Sequence, residues 1–74
     1  MGNIDDYRTA LMERVTECRR LTLIASDLDQ KALLENVQEM WRALADECEN
    51  LSREELRDLI RRVTILQNDI LAMG

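Results

Sequence analysis

Leu51-Ser52-Arg53-Glu54-Glu55-Leu56, residues 51–56, decides whether the C-terminal half of this chain is one helix or two. A Ser followed three residues later by a Glu is the pattern of a capping box. The Ser hydroxyl accepts from the Glu55 backbone N–H, and the Glu55 carboxylate accepts from the Ser52 backbone N–H. Leu51, one residue before the cap, is placed to staple onto Leu56. This reading predicts a new helix from Arg53. The weak point is Glu49-Asn50-Leu51, which contains neither Gly nor Pro, so a continuous second and third helix is the competing reading.

Beyond the box, Leu56, Leu59, Val63, Leu66 and Ile70 recur at helical spacing with Ile60 beside them, which predicts a helix over about residues 53–72. Before it, Leu34, Val37, Trp41, Leu44 and Cys48 follow alternating steps of three and four, and predict a helix over about 28–49. Leu33 and Met40 widen that apolar face, as a helix with two neighbours requires. Ser26 is the expected N-cap, with Asp29 three residues on. In the first segment Ile4, Tyr7, Leu11, Val15, Cys18 and Leu21 mark one face of a helix over about 4–25. Asn3 is placed to cap it, Asp5 and Asp6 stand in its first turn, and Arg19 and Arg20 stand late in it, where they suit the helix dipole.

The breaks between these segments are a few residues long, and short connections favour antiparallel neighbours. The expected fold is therefore all-α. Residues 1–74 form a single domain, an antiparallel three-helix up-down-up bundle. Its expected core is Leu34, Val37, Trp41, Leu44, Leu59, Val63 and Leu66. The only glycines are Gly2 and Gly74 and there is no Pro, so the interior lacks the turn chemistry of a sheet protein.

Glu17-Cys18-Arg19-Arg20-Leu21, Ala25-Ser26-Asp27, Lys31-Ala32-Leu33-Leu34 and Trp41-Arg42-Ala43-Leu44-Ala45 together resemble a type of short bacterial helical protein. That type carries an E-C-R-R-L helical turn, a polar break, and a second helix with W-x-x-L-A. The resemblance spans roughly residues 13–49. It implies a bacterial origin and a helical hairpin there, and it carries no activity with it.

Composition narrows the function. A net charge of −5 disfavours duplex nucleic acid and anionic membranes, both of which attract Lys and Arg. No apolar run approaches the roughly 18 residues of a membrane span. The acidic N-terminus lacks the basic start of a secretory signal, so a cytoplasmic location is expected. The chain has no His and only one Lys, Lys31, which leaves little for general acid–base catalysis. No interior Gly is available for a phosphate-cradling loop. No enzyme activity, catalytic residue, cofactor or metal is expected. Cys18 and Cys48 both lie on apolar stripes, and antiparallel packing sets them well apart along the axis, so they are read as unbridged small core residues.

Two surface features remain. Arg53, Arg57 and Arg61 are four residues apart and share one helix face, with Arg62 adjoining. This arginine face supports an alternative reading as a nucleic-acid-associated regulator, blunted by interleaved Glu54, Glu55 and Asp58. The larger signal is a surplus of large apolar residues: Met12, Leu23, Ile24, Leu33, Met40, Ile65 and Leu71 do not all fit one core stripe per helix. The expected function is therefore a helical protein–protein interaction or oligomerisation module, such as a small adaptor, chaperone or regulator. The expected partner is a second copy in a homodimer or another helical protein. Leu23, Ile24, Ile65 and Leu71 are the candidate interface.

Overall fold

Ser52 does cap a separate helix. Its Oγ accepts from the Glu55 N–H at 3.1 Å, and its own N–H donates to Glu55 Oε1 at 3.1 Å. In the computed structural model, which describes residues 4–73, three α-helices follow one another: α1 (Ile4–Ile24), α2 (Leu28–Glu47) and α3 (Arg53–Met73). The expected cap at Asn3 lies outside the described residues.

Helices α1 and α2 begin at Ile4 and Leu28 as expected, while the ends at Ile24, Glu47 and Met73 and the cap of α2 depart from expectation by one or two residues. Asp27, not Ser26, caps α2: at φ −86° and ψ 125° its carboxylate accepts from the N–H groups of Asp29 and Gln30. A carboxylate one residue closer to the helix start reaches those donors, and its charge also suits the N-terminal dipole. At the other end, α2 stops at Glu47 and tightens into a 3₁₀ turn, Cys48–Asn50, instead of continuing to 49. Without a Gly to adopt the left-handed C-cap, a 3₁₀ turn satisfies the last carbonyls. Leu51 then goes extended at φ −104° and ψ 145°, which separates α2 from α3.

Two measurements test the Ser52 cap. Ser52→Ala is expected to cost about 0.5–2 kcal/mol in chemical denaturation. The hydrogen bonds from Ser52 hold the Glu55 carboxyl below its ordinary range. A carboxylate whose pKa is lowered by folding contributes stability above its unfolded pKa and loses it as pH falls through the folded one. Stability of the wild type should therefore fall on acidification more steeply than that of Glu55→Gln. Identical acid limbs would remove Glu55 from the cap.

The buried residues form one core. Leu11, Val15 and Cys18 from α1 meet Leu34, Val37, Trp41, Leu44 and Ala45 from α2, Cys48 from the turn, and Leu56, Val63 and Ile70 from α3. The molecule measures 39 × 18 × 18 Å, so the helices lie lengthwise, side by side, at the roughly 8–10 Å spacing of packed helices. The backbone of α2 packs along both neighbours, more extensively on α1 than on α3, while α1 and α3 barely meet.

Two expected core residues sit elsewhere. Leu59 is only half-buried, and Leu66 is 39% exposed. The buried line of α3 instead runs Leu56, Val63, Gln67, Ile70. Leu56, Val63 and Ile70 stand seven apart and mark the buried line; at about 100° per residue Gln67, four after Val63, lies on its covered flank, and Leu66, three after Val63, lies on the open one.

Gln67 has a partner that explains its burial. The Trp41 Nε1–H donates to Gln67 Oε1 at 2.8 Å, inside the core. A buried indole N–H without an acceptor is costly. Over the face of the ring, the Arg14 guanidinium lies 5.4 Å from the ring centroid, within cation–π range. Thr22, also buried, donates its hydroxyl to the Cys18 carbonyl at 2.9 Å. Among the described residues, no buried side-chain nitrogen or oxygen lacks a hydrogen-bond partner.

Candidate interaction surfaces

Both cysteine thiols are free and buried. Cys18 donates to the Leu34 carbonyl and Cys48 to the Ala45 carbonyl, each at 3.2 Å. Burial, and then the neighbouring Glu17 carboxylate, push the Cys18 thiol up from its ordinary value, which suppresses the nucleophilic thiolate. Among the described residues, no group of three or more His, Cys, Asp or Glu is placed to hold a metal ion, and no helix is long and apolar enough to cross a membrane.

The arginine face is partly neutralised by its own helix. Asp58 pairs with Arg61 at 3.5 Å and with Arg62 at 3.0 Å. Elsewhere on the surface Arg20 pairs with Glu17, and Arg8 reaches across to Glu49 on the turn after α2. Arg57 lines a shallow hollow with Glu54, Asp58 and Arg61, so carboxylates stand among the cations there.

Apolar side chains gather in two places. The first is the end of the molecule where α1 turns into α2. Leu23, Ile24 and Leu28 are 74%, 71% and 81% exposed there. Ile24 shares a hollow of about 440 Å³ with Leu71 and Met73 from the far end of α3, and Ser26, Asp27 and Gln30 line it as well. Ile24 and Leu71 are thus brought together although 47 positions separate them along the chain, and Leu23 adjoins Ile24. Ile65 is exposed too, but stands about 9 Å back along α3 from Leu71 at helical rise, outside the hollow.

The second place was missed by the candidate interface. Between α2 and α3 runs a groove of about 410 Å³ lined by Met40, Ala43, Leu44, Leu51, Leu59 and Val63, with Glu47 its only charged wall. Leu33 and Met40 are seven residues apart on α2, and Leu59, Leu66 and Met73 are seven apart on α3. Seven-residue spacing keeps each set on one side of its helix. This explains why Leu59, which still packs against the core, and Leu66 are less buried than Leu56 and Val63: they belong to the seam beside it. The spacing was visible along the chain, but its meaning depends on α2 and α3 lying side by side.

No family model matches this chain, and no curated protein or solved structure is detectably similar to it.

Proposed function

We propose that this protein is a non-enzymatic helical interaction or oligomerisation module, a small cytoplasmic adaptor, chaperone or regulator that acts as a homodimer. Its single domain is an antiparallel up-down-up bundle. The cross-helix contacts favour that topology: Arg8 meets Glu49, Arg14 covers Trp41 and Cys18 reaches Leu34, so α2 runs back along α1. Likewise Gln30 donates to the Ile70 carbonyl while Trp41 reaches back to Gln67, so α3 returns along α2.

The observation that carries the functional reading is the exposed cluster of Leu23, Ile24 and Leu28 beside the hollow that holds Leu71. Scattered exposed Leu and Ile are ordinary, but a contiguous apolar patch marks a contact surface. A chain of 74 residues is near the lower limit for independent stability, and it gains by covering such a patch with a second copy. One self-complementary patch suffices for a two-fold dimer. The nucleic-acid reading is weaker, because Asp58 already engages both Arg61 and Arg62.

Sedimentation from low micromolar concentration upward tests the dimer. The expected result is a reversible shift between monomer and dimer mass over about a hundredfold range, as mass action requires. Ile24→Lys should move that shift to higher concentration. A monomer mass that stays constant across the range would overturn the homodimer.

A further inference from the structure

The seam between α2 and α3 has a charge pattern that specifies a partner. Residues three or four positions from Leu33, Met40, Leu59 and Leu66 on the outward side flank the seam. On α2 they are Asp29, Asn36 and Ala43, and Glu47 stands in the wall itself. On α3 they are Glu55, Arg62 and Asp69. Arg62 is the only cation among them, and Asp58 pairs with it at 3.0 Å. The remaining basic residues turn elsewhere: helical spacing puts Lys31 and Arg42 on the opposite side of α2, and Arg57 and Arg61 on the opposite side of α3. Carboxylates therefore stand at both ends of the apolar seam, Asp29 and Asp69 at one and Glu47 and Glu55 at the other.

We propose that this seam is a docking groove for a cationic amphipathic helix of another protein, its apolar face on Met40, Leu59 and Leu66 and its Lys or Arg side chains against the bordering carboxylates. The inference rests on the interaction-module reading and adds the chemistry of the partner. Apolar residues seven apart on two adjacent helices are the surface onto which a third helix packs, and charges beside such a seam select the partner. A second copy would bring acidic ends of the seam against acidic ends, which opposes its pairing here, whereas a basic helix meets opposite charge at both ends of the groove.

The probe is a synthetic three-heptad peptide with Leu at the seam positions and Lys beside them, titrated into the full ¹⁵N-labelled chain. Its control has the same Leu pattern with Glu in place of Lys. The Lys peptide should shift the amide signals of Met40, Leu59 and Leu66, with an affinity that falls as salt rises. The Glu peptide should bind at least about tenfold more weakly, the scale of several border ion pairs removed together. Glu47→Lys with Asp69→Lys should weaken the Lys peptide by a similar factor. Glu13→Lys with Glu35→Lys, an equal charge change away from the seam, should leave the affinity within about twofold.

Equal binding of the two peptides, shifts mapping away from the seam, or equal sensitivity to both pairs of reversals would overturn the proposal. So would contacts between labelled and unlabelled copies across the seam, which would make it a dimer surface and leave the interaction-module reading standing. Loss of peptide binding together with a concentration-independent monomer would remove support from both.

Discussion

Trp41→Ala is expected to remove most of the stability of the molecule, at a cost of about 3–5 kcal/mol. That is a large part of the few kcal/mol available to so small a domain. Trp41 is fully buried on the central helix, and it joins all three helices: its ring lies under Arg14 of α1 and its indole N–H is held by Gln67 of α3. Truncation leaves a cavity and deprives a buried amide of its donor. Urea melts followed by circular dichroism give the value. Trp41→Phe separates the two components: it keeps much of the volume and removes only the hydrogen bond, so it should cost about 1–3 kcal/mol, as should Gln67→Met. If Trp41→Ala cost less than Gln67→Met, the ring would not be the centre of the core.

Leu56→Ala should follow closely, toward the upper end of about 2–5 kcal/mol. Leu56 is 1% exposed and stands four residues after the Ser52 cap. Leu51, on the other side of that cap, packs against the same core. The substitution therefore empties a closed site and unfastens the staple that sets the angle at which the chain enters α3. Leu44→Ala makes a useful contrast. Leu44 is buried but also lines the α2–α3 groove, so its loss deepens an open channel that water can enter. Its cost should fall toward the lower end of the same range. Thermal and urea unfolding of the two variants side by side would expose the difference. A costlier Leu44→Ala would mean that the groove is closed in solution.

The all-helical character of the protein, and the break before Arg53, were legible because helix periodicity and the capping box are local patterns. Residues within four positions of one another decide them. The caps were less legible where two good candidates adjoin: Ser26 and Asp27 both have the chemistry, and backbone geometry selected Asp27. Gln67 was missed because a stripe drawn through apolar letters passes over a polar one. Its position, four after Val63 and three before Ile70, fits the buried line. The other available signal was the need of a buried Trp41 for an acceptor. On the surface, Leu23, Ile24, Ile65 and Leu71 were recognisable one at a time as surplus apolar residues. Which of them are neighbours depends on α1 and α3 ending at the same end of the molecule, and that information lies in tertiary packing.

The unequal packing of α2 on its two neighbours has a consequence for how the molecule opens. Because the backbones of α1 and α3 barely meet, α3 is joined to the remainder chiefly through α2, and less extensively than α1 is. Cooperative units of unequal stability release their amide protons at different free energies. In native-state exchange α3 is thus the unit that detaches first, leaving the α1–α2 hairpin as the longer-lived one. Detachment breaks the hydrogen bond between Trp41 and Gln67, so the emission of a single indole reports the departure of α3 from within the protein itself.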